Sequence, residues 1–261
     1  MADRAFDDRD FPLVVAHRGA SADQPENTLR SFEAAVAAGA DAVEFDVRMS
    51  ADGHAVVLHD PAVDRTTDGH GLVRDLTLDA VKRLRLRDGS GEGLEIPTLA
   101  ETLDLLSGRV AIDIEIKNLP GEPDHDPDNE FAVEATIRGL QASGFVGAVL
   151  ISSFNPWSIA RSRALAPEIP TGLLAVGAMP LADALALASD GDHGWVLPAA
   201  SAVLEAGEEI VGRARAAGLR LGTWIVDDPT IAAELVGWGL DAIATNDPRV
   251  IAPAVAAARS A

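Results

Sequence analysis

Short apolar, β-rich runs alternate with Ala/Leu-rich helical segments from one end of the chain to the other. The series opens with LVVAH, LRSFEAAVAAG and DAVEFDV, then passes through VAIDIEIK, FAVEATIRGLQASG, AVLISSF, PWSIARSRALA, TGLLAV, ADALALA and WVLP. It closes with VLEAGEEIVGRARAAG, LRLGTWIVD, TIAAELVGWG, DAIATN and VIAPAVAAARS. Strands joined by helical crossovers make a parallel sheet. Over 261 residues the pattern predicts one α/β domain spanning 1–261, a closed (β/α)8 TIM barrel. A doubly wound sheet is the other architecture that the same alternation allows.

Nine runs qualify as strands, starting near Leu13, Asp41, Ala55, Val110, Ala148, Thr171, Trp195, Leu219 and Asp241, whereas a barrel has eight places. The extra run is HAVVLHD. Only MSADG separates it from DAVEFDV, too little for a crossover helix, so the two form a hairpin turning at Asp52-Gly53. Folding back there brings His59 beside Asp46. Between His59 and Val110 lie about fifty residues, far more than the usual link of about two to six. They hold LTLDAVKRLRL, the Gly-rich DGSGEG and, after Pro97, TLAETLDLL. The excess, approximately 60–98, reads as a small insertion over the C-terminal mouth. PGEPDHDPDNE, at 120–130, reads as a solvated acidic connection.

Polarity within two strands carries the chemistry. In Val43-Glu44-Phe45-Asp46-Val47 the apolar residues share one face and the carboxylates the other. The apolar face belongs under the helices, so Glu44 and Asp46 point into the lumen. The strand at 110 repeats this: Ile112, Ile114 and Ile116 on one side, Asp113, Glu115 and Lys117 on the other. Buried carboxylates are costly unless paired or bound to a cation. One divalent ion on Glu44, Asp46 and Glu115 resolves the conflict, and all-oxygen ligands favour Mg²⁺ or Ca²⁺ over zinc or copper. Lumenal ion pairs with Lys117 and Arg18, binding nothing, are the alternative. His17 and His59 end strands beside this cluster and together suit a general acid and base. His54, His70, His125 and His193 fall in a turn or in polar loops and read as surface residues.

Charge and composition narrow the partners. A formal charge of −20 repels phosphate backbones and argues against nucleic acid. An anionic substrate must therefore meet local cations or a metal. The chain has no cysteine, which excludes disulfides and thiolate metal sites. The N-terminal MADRAFDDRDF is charged, and no apolar run reaches the roughly 18 residues of a membrane span. A soluble, cytoplasmic protein without stable membrane insertion is expected.

The ordered set HRG (17–19), ENT (26–28), EFDV (44–47), VVLHD (56–60), TTDGHG (66–71), IPTL (96–99), EIK (115–117) and SSFN (152–155) resembles the glycerophosphodiester phosphodiesterases. The resemblance implies a barrel of the phosphatidylinositol phospholipase C type with an insertion after the second histidine. It also implies metal-dependent hydrolysis of small glycerophosphodiesters to sn-glycerol 3-phosphate and an alcohol. His17 and His59 would be the acid/base pair, and Glu44, Asp46 and Glu115 the metal ligands. Arg18 and Lys117 would contact the phosphate, Glu26 and Asn27 would support the loop or contact substrate, and Trp224 would line the glycerol side. Asn27 could instead cap the helix that begins TLRSFEAA. Two runs depart from the family. Its Trp-Thr-Val-Asn becomes Trp224-Ile225-Val226-Asp227, and its Ile-Thr-Asp-x-Pro becomes ATNDP. Both read as changes to the leaving-group pocket, outside the metal and histidine set. Three readings stay open: the small-diester hydrolase, a lysophospholipase D or phosphoinositide phospholipase C acting on lipid, and a non-catalytic divalent-ion-binding barrel. The sequence shows neither an apolar nor a basic docking surface for the lipid reading, VKRLRLR being a mild hint at most.

Overall fold

The computed structural model describes residues 6, 12–87, 93–177 and 179–260. Its strands are β1 (Leu13–His17), β2 (Ala42–Met49), β3 (Ala55–Val57), β4 (Ala111–Ile116), β5 (Val149–Ser153), β6 (Thr171–Ala175), β7 (Trp195–Pro198), β8 (Arg220–Thr223) and β9 (Ala242–Thr245). All but β3 pair in parallel, in the order β1-β9-β8-β7-β6-β5-β4-β2, and β2 returns to β1. That last pairing closes the cylinder and excludes the open doubly wound sheet. β3 stays outside the ring and pairs antiparallel with the end of β2, Met49 opposite Ala55 and Val47 opposite Val57. The hairpin therefore turns where expected, and the Leu58 N–H still reaches the Asp46 carbonyl at 3.1 Å.

The helices are α1 (Leu29–Ala37), α2 (Leu78–Arg83), α3 (Leu99–Leu106), α4 (Phe131–Ser143), α5 (Pro156–Leu165), α6 (Leu181–Asp190), α7 (Ala200–Ala206), α8 (Glu209–Ala216), α9 (Pro229–Trp238) and α10 (Pro248–Arg259). Local chemistry sets several starts. Thr28 and Ser31, and Thr98 and Glu101, satisfy each other's end groups in reciprocal capping boxes. Asn155 and Asp228 cap α5 and α9 ahead of a proline whose missing N–H costs nothing in the first turn. The run VLEAGEEIVGRARAAG is two helices, not one. Gly207 takes φ 74°, a left-handed value that suits glycine, and ends α7 before α8 begins.

Val43, Phe45, Val47, Ile112, Ile114 and Ile116 pack outward against α1, α3 and α4, as the alternation requires. The inward face is divided by height. Leu13, Val15, Ala42, Leu150, Leu174 and Leu197 fill the floor of the lumen, and Phe6 meets Trp195 edge-on there with ring centroids 5.9 Å apart. Between β3 and α3 the chain holds a 3₁₀ turn at Val73–Asp75 and α2. Val56, Leu58, Val63, Val73, Val81 and Ile96 form a small core of their own. Most of DGSGEG, residues 88–92, lies outside the described residues.

Two expectations need correction. His193 is not a surface residue: it is buried, and its Nδ1 shares a 2.7 Å hydrogen bond with the Thr171 hydroxyl. The 120–130 stretch is not simply solvated. Glu122 and Asp124 grip the buried Arg48 guanidinium at 2.8 and 2.6 Å, and Arg48 Nε donates to the His59 carbonyl at 2.7 Å.

Candidate active site

β1, β2 and β4 deliver the site because each ends at the same lip of the barrel. The register sets Asp46 opposite Glu115 and His17 opposite Glu44. Glu44, Asp46 and Glu115 are all buried, and each offers an oxygen within 4.8 Å of the others'. Arg18 donates its backbone N–H to Glu44 Oε2 at 2.8 Å and places Nε 3.4 Å from Asp46 Oδ2. Lys117 Nζ lies 3.0 Å from Asp46 Oδ1, pairs closely with Glu115 Oε1 and sits over the Phe154 ring. Asp113, one layer deeper, accepts from the Ser152 hydroxyl at 2.8 Å.

Charge is unevenly shared in this cluster. Burial alone would raise Asp46, but Lys117 and Arg18 outweigh it and hold its carboxyl well below the usual range. Burial and the carboxylates of Asp46 and Glu115 push Glu44 well up. Burial, outweighing Lys117, raises Glu115 to about 7, and burial raises Asp113 to about 7 despite Ser152. Lys117 is raised, since Asp46 and Glu115 overcome its own burial. Carboxylates thus outnumber cations, and Glu44 Oε1 is buried with no hydrogen-bond partner among the described residues. The donor set and that orphaned oxygen fit a hard divalent cation held by Glu44, Asp46 and Glu115. The lumenal ion pairs of the alternative exist, but they leave Glu44 uncompensated.

His17 and His59 face one cavity of ≈ 250 Å³ together with Arg18, Glu44, Glu115 and Lys117. Burial, then Arg18, lowers His17 to about 4. Burial also lowers His59, with Lys117 and Arg18 adding to it and Asp46 and Asp60 opposing. Their partners differ in kind. His59 Nδ1 meets the Asp60 carboxylate at 2.7 Å, and His17 Nδ1 meets the Asn246 amide oxygen at 2.8 Å.

Glu26 and Asn27 both belong to this assembly. Glu26 bridges Arg18 at 3.1 Å and Arg65 at 2.6 Å. Asn27 does not cap α1, since Thr28 does. It donates to Asp46 Oδ2 at 2.7 Å from a left-handed backbone, φ 57°, which Arg18 shares at φ 55°. Two neighbouring strained turns hold the acidic cluster. Trp224 packs edge-on to Phe154 at 5.5 Å on the cavity wall and donates its indole N–H to the Leu197 carbonyl.

Sequence reasoning misses Asp60, Arg65, Arg48, Asp227 and Asn246. For Asp60 a signal exists in the VVLHD run itself. The last two fall in runs read as part of the leaving-group pocket, outside the metal and histidine set, and the structure adds that Asn246 bonds His17.

Comparison with known proteins agrees with this geometry. The family whose sequence model matches residues 17–250 is the glycerophosphoryl diester phosphodiesterase family. A glycerophosphodiester phosphodiesterase of Caldanaerobacter subterraneus subsp. tengcongensis is 34% identical over 252 residues, covering 92% of this chain and 96% of the relative. Its counterpart in Bacillus subtilis is 33% identical, covering 90% and 84%. Among solved structures, an Oleispira antarctica phosphodiesterase in complex with the product sn-glycerol-3-phosphate superposes with a TM-score of 0.83 at 29% identity, covering 94% of this chain and 97% of that one. A glycerophosphodiester phosphodiesterase from Agrobacterium tumefaciens gives 0.77 at 27% identity, covering 96% and 100%. With a closed parallel barrel, an acidic lumenal cluster and a match across most of its length, the chain belongs to the glycerophosphodiester phosphodiesterase family and is an enzyme of that class.

Proposed function

We propose that this enzyme hydrolyses small glycerophosphodiesters to sn-glycerol 3-phosphate and an alcohol, using one Mg²⁺ or Ca²⁺ and the His17/His59 pair. The observation that carries the reading is the clustering of three buried carboxylates from β2 and β4, two of them, Glu44 and Glu115, lining one cavity with two imidazoles and two cations. The product named in the Oleispira structure supports the substrate class.

Glu44, Asp46 and Glu115 would hold the ion, which supplies positive charge against the phosphate and its developing negative charge. The chain's own groups do the rest. Arg18 and Lys117 neutralise the remaining phosphate charge and orient the diester. His17, bound to a neutral amide and lowered to about 4, stays uncharged and accepts the proton of the attacking hydroxyl at Nε2. The nucleophile is water or the glycerol 2-hydroxyl, and in the second case water then opens the cyclic phosphate. His59, lowered by burial but with the Asp46 and Asp60 carboxylates opposing that shift, donates its proton to the departing alkoxide as the P–O bond breaks. The net reaction consumes one water. Trp224, with Phe154, walls the glycerol side.

Turnover of glycerophosphocholine after chelation, with Mg²⁺ or Ca²⁺ restored and glycerol 3-phosphate detected, tests this. Activity should vanish on chelation and return with the ion. Undiminished turnover in chelator would sink the metal requirement, and ion binding without hydrolysis of any glycerophosphodiester would select the non-catalytic barrel. His17→Ala should cost at least about 10²-fold in rate.

A lipid substrate is the second reading, and one observation favours it. Trp157 is 74% and Phe131 55% exposed, at the starts of α5 and α4, which face the mouth end of the barrel. Faster turnover of micellar lysolipid than of glycerophosphocholine would select it. Among the described residues no helix is long and apolar enough to cross a membrane.

A further inference from the structure

Three neighbouring strands, β8, β9 and β1, end side by side, and the residues at their lips form a hydrogen-bonded chain. Asp227 follows β8, Asn246 follows β9 and His17 ends β1. Asp227 Oδ1 accepts from the Asn246 backbone N–H at 2.7 Å and from the Thr245 hydroxyl at 2.8 Å. Its second oxygen, Oδ2, accepts from Asn246 Nδ2 at 2.8 Å. Asn246 Oδ1 then meets His17 Nδ1 at 2.8 Å and the Ser21 hydroxyl at 3.0 Å.

A side-chain amide has two unlike ends, and either could face an imidazole. The carboxylate removes that freedom. It only accepts, so the Nδ2 end must turn toward Asp227, and the Oδ1 end must turn toward His17. An amide oxygen also only accepts, so His17 must carry its proton on Nδ1. Nε2, the nitrogen left over, then holds the lone pair. A flipped amide would set its oxygen against a carboxylate oxygen at 2.8 Å, and that repulsion enforces the order.

We infer that Asp227 sets the tautomer of His17 through Asn246, making both positioning residues for the imidazole. His59 needs no such relay, because its Nδ1 partner is itself a carboxylate. Asp227 and Asn246, from two separate runs of the sequence, thus lie in direct contact.

The inference deepens the proposed role of His17, so the test includes a readout that does not depend on activity. Asp227→Asn keeps an oxygen for Thr245 and the Asn246 N–H and removes only the acceptor that locks Nδ2. Long-range ¹H–¹⁵N spectra of the imidazoles, with His17 assigned through His17→Gln, should show the Nδ1–H tautomer in the native chain. The same spectra of Asp227→Asn should show a mixture of tautomers, with Tm within about 2 °C of native. In the kinetic arm kcat should fall about tenfold or more with KM within twofold. Asn246→Asp alone sets two carboxylates face to face and should lose activity as well. Asp227→Asn/Asn246→Asp together restore one acceptor facing His17 and one donor facing that acceptor, so the double variant should recover kcat above either single variant. An unchanged tautomer in Asp227→Asn overturns the inference whatever the enzyme does. So does a folded double variant no more active than the worse single one. A native Nδ1–H tautomer in a protein that proves inactive on every glycerophosphodiester would remove the proposed function and leave this inference standing.

Discussion

The two ends of the barrel lumen are built from the same strands and behave in opposite ways. β1 supplies Leu13 and Val15 to the floor and His17 to the mouth. β2 supplies Ala42 below and Glu44 and Asp46 above, and β4 supplies Ala111 below and Asp113 and Glu115 above. The floor is apolar and buried, its side chains packed on one another while several of them, Val15, Leu150, Leu174, Trp195 and Leu197 among them, also form the lower wall of the cavity. The mouth holds four carboxylates that repel one another, three of them raised above their usual range. A few residues along one strand separate the part that stabilises the protein from the part that costs stability.

The largest effects should therefore dissociate. Glu44→Gln keeps the oxygen that accepts from the Arg18 N–H but removes a ligand charge. Turnover should fall about 10³-fold, the equivalent of several kcal/mol of transition-state stabilisation. Thermal unfolding of the metal-free protein should be unchanged or rise. Trp195→Ala, at the floor, should cost about 3–5 kcal/mol in stability, which for a chain of this size lowers Tm by about 10 °C. Equal losses of Tm in the two variants would erase the contrast.

Acidity gives a finer test. Asp113 and Glu115 have folded-state values near 7, above their ordinary carboxylate values, and Glu44 is raised too. Their contribution is fully present below the ordinary value and is lost as pH climbs through the folded one. Metal-free protein should thus lose Tm between about pH 4 and pH 7, and Ca²⁺ or Mg²⁺ should flatten the fall. Asp46 and Glu26 are lowered and act in reverse, their contribution disappearing as pH drops below the ordinary value. A flat Tm across that range without metal would contradict the raised values. The smallest effect belongs to the rim. Arg65, half exposed, braces Glu26 and Asp60, so Arg65→Ala should change stability by no more than about 1 kcal/mol by denaturant titration.

Much of this is legible in the sequence because strand alternation leaves few choices. Carboxylates at every second place in VEFDV and IDIEIK have only the lumen to face, and a five-residue link can only make a hairpin. The relay behind His17 is hidden for a different reason. His17 and Asn246 stand 229 residues apart and meet only because the ring closes β9 onto β1. Arg48 is obscured by its place just before the hairpin turn, where a guanidinium ordinarily reaches water rather than a distant acidic loop. His193 looks like loop surface since nothing local reveals that Thr171 lies beneath it.

The hairpin strand β3 has one more implication. It hangs on the outside of the ring, so the segment beyond His59 can grow, shrink or be exchanged without altering a single rung between the eight cylinder strands. Only the His59–Asp60 corner and its Arg48 anchor need to be kept. That excursion can therefore vary in length and sequence while the cylinder remains untouched, a modular division of labour that suits the making of chimeras among relatives.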